Sequence, residues 1–342
     1  MVIEAPLLYR PDSIETFAEK RPSPEDWAVL GALQEFGIPE TISPDWAIFN
    51  TVIVPKPESP DPKLPEPMLL LSRAVHIESV VEGEPDRNVL YVCVADQSGK
   101  PRERLPDLSL PTDERIVNWE DPRIGPDQTL GFTVVTRKGD NYHPHPALVK
   151  VGLDENGHLE VVGDLQIFED IRGKNVIPLE DGFIYRPEGA LHQLHYLDSK
   201  GLKEIINFSE FKNIEWISKK MGAVARPIEL EDGNKLLLIH GVRGGRGIDG
   251  TIKDSVYSIG IAVLDKGWNV LAVDKEPLLQ RKDFLENLEP SKDLNPRKEV
   301  VYLCDFFEDG DDLILPVNVG DRITVFTRVK TSDLKARAES LI

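Results

Sequence analysis

The run Trp119-Glu120-Asp121-Pro122-Arg123-Ile124 sets two adjacent carboxylates, a proline and an arginine beside an apolar stretch over 130–135. Proline at the start of a strand fixes φ and gives up a donor where no ladder bond is needed. That would hold Asp121 in one orientation, with Arg123, two residues on, projecting to the same face. A carboxylate held beside a cation suits sugar binding or proton transfer. The same six residues also fit a plain ion pair at a strand end, so the rest of the chain decides between the two.

The elements that must position these groups are mostly short strands. Helical signals concentrate in 23–36, where Ser23 can cap, Pro24 takes the first helical position, and Gly37 and Pro39 stop the helix. Shorter helical turns are expected near 209–216 and 279–288. The remaining apolar runs fall into five groups: 47–54, 68–74 and 89–95; 130–135, 147–152 and 159–164; 175–179, 182–186 and 191–197; 226–230, 235–240, 255–264 and 270–273; 300–307, 313–317 and 322–328. Acidic glycine turns recur between them, at Glu180-Asp181-Gly182, Glu231-Asp232-Gly233 and Glu308-Asp309-Gly310. Asp-Gly supplies the positive φ that tight hairpins require. Repeated groups of short strands predict an all-β, five-bladed β-propeller with a short helical N-terminal segment. A pair of irregular β-sandwich domains is the alternative. The expected division is a helical extension over 1–44, the propeller over 45–330 and a tail over 331–342. In a propeller the innermost strands line a central channel, which is where a ligand would sit. The Pro-rich stretches 55–67 and 102–111 read as loops, and the Gly-rich stretch 243–251 as either a lid or a long hairpin connection.

The 342 residues carry 59 acidic against 40 basic side chains, a formal net charge of −19. Phosphate backbones and anionic bilayers repel such a chain, which argues against nucleic-acid and membrane partners. A small anion can still be held in a local basic pocket, because short-range contacts outweigh a screened global field. Cys93 and Cys304 lie in apolar runs and read as buried free thiols; no cysteine framework or zinc spacing is present. Residues 1–10 lack a basic start followed by an apolar core, and no apolar run approaches the roughly 18–20 residues of a spanning helix, so the expectation is a cytoplasmic protein. The glycines of 244–250 lack a dinucleotide or P-loop context.

The run 119–124 resembles the Glu-Asp-Pro-Arg signature of glycoside hydrolase family 130, five-bladed propeller enzymes acting on β-mannosides. Further landmarks follow in the family's order: Phe49-Asn50, Ser72-Arg73-Ala74, Lys174-Asn175 before Val176-Ile177-Pro178, Arg226-Pro227-Ile228, Ile239-His240-Gly241, Tyr257-Ser258-Ile259-Gly260 and Val319-Gly320-Asp321. The similarity spans about 47–329. It implies inverting cleavage of a β-mannoside, by phosphorolysis to mannose 1-phosphate or by hydrolysis, with Asp121 as the catalytic acid. Asn50, Arg73, Glu120, Arg123 and Asp321 would bind or orient the sugar. Lys174, Arg226 and His240 would cradle phosphate. His145 falls where many family phosphorylases carry a phosphate-binding arginine, and an imidazole is a poorer, pH-dependent anion ligand. The resemblance implies no cofactor and no metal. Inorganic phosphate enters as co-substrate if the reaction is phosphorolysis, and a homo-oligomer is compatible with it. A non-catalytic propeller that binds carbohydrate or protein is the reading from a different class.

Overall fold

Alternating apolar strands joined by tight turns produce five sheets, one for each group read from the sequence, antiparallel except where Lys298–Glu299 pairs in parallel with Ser255 and Val256. The computed structural model describes residues 28–29, 46–55, 68–76, 88–96, 101–111, 114–201, 203–247, 251–287, 298–321 and 323–342. The first blade is Trp46–Val54, Met68–His76, Asn88–Ala95 and Pro101–Arg104. The second is built on Ile116–Ile124, Thr129–Lys138 and Asn141–Leu153, and the third on Gly173–Leu179, Gly182–Pro187, Gln193–Asp198 and Lys203–Asn207. The fourth runs Lys220–Ala223, Lys235–Arg246, Ile252–Leu264 and Val270–Val273. The fifth is Val301–Leu303, Asp312–Val319 and Ile323–Lys330, extended by Ala28–Val29 at its outer edge. Each blade packs on the next, and the fifth packs on the first, which closes the ring of a five-bladed propeller.

The blades approach closely where side chains are small. A Cβ on Gly131 would lie 2.7 Å from the Pro178 ring, so the second and third blades touch through a glycine and a proline. The Asp-Gly turn at 309–310 closes a two-residue hairpin, with Asp309 opposite Asp312 and Gly310 at φ +64°, as the turn chemistry predicts. The apolar faces of four blades merge into one core that includes Leu71, Phe132, Leu238 and Leu315. Cys93 and Cys304 are buried and free.

Several elements differ from the sequence reading. The helix expected over 23–36 lies outside the described residues except for Ala28 and Val29, which are extended and pair with Phe326 and Val325. The signature run 119–124 is not the entry of the strand that holds 130–135; it completes a strand of its own, Ile116–Ile124, the innermost of its blade. Likewise the fourth blade opens on Lys220–Ala223, and 226–230 supplies only the short pairing Ile228–Glu229. Residues 102–104, read as part of a loop, belong to an edge strand, Pro101–Arg104, where proline is tolerated. The stretch 55–67 lies outside the described residues beyond Pro55. The Gly-rich stretch extends a hairpin whose ladder reaches Arg246 opposite Ile252. The tail contains a helix, α1 (Thr331–Glu339), that buries Leu334 and Ala338 and ties to the fourth blade through Arg337 and Asp274, 2.6 Å apart. Among the described residues no helix is long and apolar enough to cross a membrane.

Candidate active site

Three innermost strands carry the same irregularity. In the first three blades a step of three residues on the inner strand faces a step of two on its neighbour: Phe49 to Val52, Glu120 to Arg123 and Lys174 to Ile177. Each is a β-bulge, and each holds an Asn or Asp with left-handed backbone: Asn50 (φ +53°), Asp121 (φ +55°) and Asn175 (φ +62°). Asn and Asp tolerate that conformation better than any other side-chain-bearing residue. The bulge turns one polar side chain out of the regular alternation and toward its counterparts on neighbouring blades. Asp321 adopts the same conformation (φ +52°) in the turn after Val319.

Two of the bulged residues meet. Asn50 Nδ2 donates to Asp121 Oδ1 at 2.6 Å, and Arg73 NH1 stands 3.7 Å from the same oxygen. Glu120 lies alongside, its Oε2 2.7 Å from Lys174 Nζ and its Oε1 3.9 Å from Arg73 NH2. Burial alone would raise the Glu120 carboxyl, but the charges of Lys174 and Arg73 outweigh it and hold that carboxyl below its ordinary range. Glu120 is therefore ionised and serves to anchor Lys174 and Arg73. The Asp121 side chain keeps 16% of its surface exposed.

Arg123 lies on the other side of this layer. It does not pair with the Asp121 carboxylate. Its Nε donates to the Val224 carbonyl (3.1 Å), NH1 to the Asp121 carbonyl (3.0 Å) and NH2 to the Tyr302 hydroxyl (2.5 Å). One buried guanidinium thus ties the second, fourth and fifth blades together. Asn175 Nδ2 also donates to the Tyr302 hydroxyl. Burial, reinforced by the Asp121 charge, keeps that phenol neutral although Arg123 pulls the other way.

The expected anion ligands separate. Lys174 is in the cluster. His240 is also near, its ring 4.9 Å from the Tyr302 ring and 6.2 Å from Tyr257. Burial, together with the charges of Arg186, Lys220 and Arg123, pushes the His240 imidazole well below its usual value, so it is a neutral hydrogen-bonding group rather than a cation. Its Nδ1 is buried with no partner among the described residues. Arg226 is turned to other carboxylates, Glu308 at 3.1 Å and Asp305 at 4.0 Å, and lies over Phe306. His145 bonds through Nδ1 to the Ile171 carbonyl at 2.9 Å.

Sequence reasoning missed Arg186, Tyr302 and Asn318. Arg186 faces Lys174 across the third blade. Its charge acts on both His240 and Tyr257, and Tyr257 also feels Asp321 and Asp121. Arg186 therefore belongs to the same pit. A regular two-residue hairpin would set Pro187 opposite Lys174; the bulge at Asn175 shifts the register by one and brings Arg186 there instead. Asn318 Nδ2 lies 3.1 Å from Asn50 Oδ1 and 3.0 Å from Asp321 Oδ1, linking Asp321 to the cluster. Among the described residues no group of three or more His, Cys, Asp or Glu is placed to hold a metal ion.

No protein-family model matches the sequence, and no curated protein does. Solved structures do match. A β-1,2-mannobiose phosphorylase from Listeria innocua, in complex with β-1,2-mannobiose, superposes with a TM-score of 0.60 at 16% identity, covering 99% of this chain and 98% of that one. A mannose phosphorylase from Leishmania mexicana, in complex with phosphate ion, gives 0.54 at 12% identity over 84% of both chains. A glycosyl hydrolase from Bacteroides ovatus gives 0.55 at 13% identity, covering 82% of this chain and 83% of that one. At these identities the likeness establishes a shared five-bladed fold.

Proposed function

We propose that this protein is a carbohydrate-active enzyme that cleaves β-mannosides with inversion, by phosphorolysis to mannose 1-phosphate. The observation that carries the reading is the setting of Asp121. Its Oδ1 is taken by Asn50 and faces Arg73, which leaves Oδ2 as the oxygen to carry a proton and present it to a glycosidic oxygen. Inversion then requires a nucleophile on the opposite face of the sugar. With phosphate in that role no second carboxylate base is needed, and Glu120, already bound to Lys174, is spent on anchoring.

Arg186 supports phosphate as the nucleophile. Among the described residues it has no carboxylate partner, and its Nε is buried without a hydrogen bond. A guanidinium in that state, beside Lys174 and a neutral imidazole, matches the fork that oxyanions of phosphate accept. Both the mannobiose phosphorylase and the phosphate-bound mannose phosphorylase share the fold.

The test is incubation of the pure protein with β-linked mannobioses, with and without inorganic phosphate. Mannose 1-phosphate that appears only with phosphate is the expected product. Free mannose released at the same rate in both would replace phosphorolysis by hydrolysis. No turnover of any mannoside, with sugar binding retained, would leave a binding propeller.

A further inference from the structure

We infer that Asn318 is a positioning residue for the acid: through Asn50 it decides which oxygen of Asp121 carries the proton. The inference rests on the reading of Asp121 as proton donor. Asn318 is 1% exposed and sits on Asp312–Val319 of the last blade, whereas Asn50 belongs to the first. Four polar side chains from three blades form a line, Asp321, Asn318, Asn50 and Asp121, with separations of 3.0, 3.1 and 2.6 Å.

The direction of that line is fixed at one end. An ionised carboxylate only accepts, so the Asn318 group facing Asp321 must be its NH2. The second hydrogen of that NH2 points to Asn50, which must answer with its carbonyl. The amide of Asn50 then has its own NH2 facing Asp121, and Oδ1 of Asp121 must accept. Turning Asn50 over would set two donors against each other at Asn318. A proton on Oδ1 would weaken that oxygen as the acceptor for the Asn50 donor, so the acid proton is favoured on Oδ2.

Asn318 meets both donor obligations at the expense of its acceptor: its Oδ1 is buried with no hydrogen bond among the described residues. A residue kept only for packing would not require an amide there. A brace alongside holds the junction: Thr51 Oγ1 lies 2.8 Å from Thr324 Oγ1 and 2.8 Å from Ser72 Oγ. Thr324 is the register partner of Asn318, and Thr51 follows Asn50 in the chain.

The experiment compares two substrates. A β-mannobiose needs its leaving oxygen protonated, and 4-nitrophenyl β-mannoside does not. In Asn318→Leu the ratio of kcat on mannobiose to kcat on the aryl mannoside is expected to fall at least tenfold. Asn50→Ala should lower the same ratio, and the double variant should lower it no further than Asn50→Ala alone. An unchanged ratio, or losses that multiply in the double variant, would overturn the inference. Asn318→Ser, which leaves room for water, is read in the same way if the leucine variant does not fold. A crystal structure of the variant gives a readout independent of turnover: the Asn50 amide should turn or leave Asp121, and an Asn50 that keeps its bond unmoved overturns the positioning role. If the wild-type chain cleaves neither mannoside, the reading of Asp121 falls, and with it the inference that depends on it.

Discussion

Lys174 and Arg186 face each other across adjacent strands of the third blade, yet only Lys174 has a carboxylate beside it among the described residues. Like charges directly opposite on a sheet repel. Glu120 relieves the lysine but not the arginine, so the pair retains one uncompensated positive charge in a pit that also holds Asp121. An anionic ligand would complete it.

Arg186→Gln keeps much of the length and removes the charge. We expect the KM for phosphate to rise about 10–100-fold, the worth of a charged hydrogen bond of about 1.5–3 kcal/mol. The KM for the mannoside should change far less. Initial rates over a grid of both substrates measure this, and equal effects on both would remove Arg186 from the anion site.

Asp121→Asn keeps the bulge, because asparagine accepts left-handed backbone as readily as aspartate. Turnover of mannobiose should fall by about 100–10,000-fold, the usual contribution of a positioned general acid. Mannose binding measured by calorimetry should persist. Retained activity would show that the proton comes from another group.

The number of sheets and most strands were legible, because apolar runs and Asp-Gly turns such as 309–310 record local chemistry. The innermost strands were the hardest to read. Ile116–Ile124 was not read as a strand of its own, only as the entry to 130–135, because its inner side chains are polar and its bulge breaks the alternation. The cluster of Asn50, Arg73, Glu120, Asp121 and Lys174 was legible through resemblance of short ordered motifs. Arg186 was not, since it depends on a register shift that no spacing rule predicts. Nor was Asn318, an asparagine inside an apolar strand that acquires its meaning only when the last blade meets the first. His240 was read as an anion ligand, but its neutrality follows from its burial and from surrounding charges on Arg186, Lys220 and Arg123.

Gly222 supports His240 sterically. A Cβ at this position would lie 2.3 Å from His240 Cε1, well inside contact. Gly222→Ala should displace the imidazole and destabilise the protein by about 1–3 kcal/mol, the usual cost of overpacking. Chemical denaturation measures the loss. A variant as stable as wild type, with unchanged turnover, would mean the ring has room to move.

Acid should loosen the fold through its histidines. Burial, helped by Lys203, lowers His195 to about 4, and His240 is lowered too. A histidine with a depressed folded value binds its proton more readily when unfolded, so stability falls as pH drops below the unfolded value of about 6.5. For His195 the loss develops from there down to about pH 4. Asp305 acts with the opposite sign: burial raises it to about 6 although Arg226 and the Phe306 and Ile124 amides oppose the shift, so its protonation favours the folded state. Comparing wild type with His195→Gln by urea unfolding between pH 7 and 4.5 removes the Asp305 contribution. The variant should show the flatter dependence, and parallel curves would contradict the assignment.

The seam between the last blade and the first has a consequence for biosynthesis. A nascent chain emerging from a ribosome delivers Asp121 early, but the amide that orients its neighbour arrives some two hundred residues later, with Tyr302 shortly before it. Until the final sheet docks, Asn50 lacks the Asn318 donor and Arg123 lacks the Tyr302 hydroxyl. On the proposed reading of Asp121, chemistry would be withheld from partly made or partly opened molecules, and turnover would report whether the circle is complete.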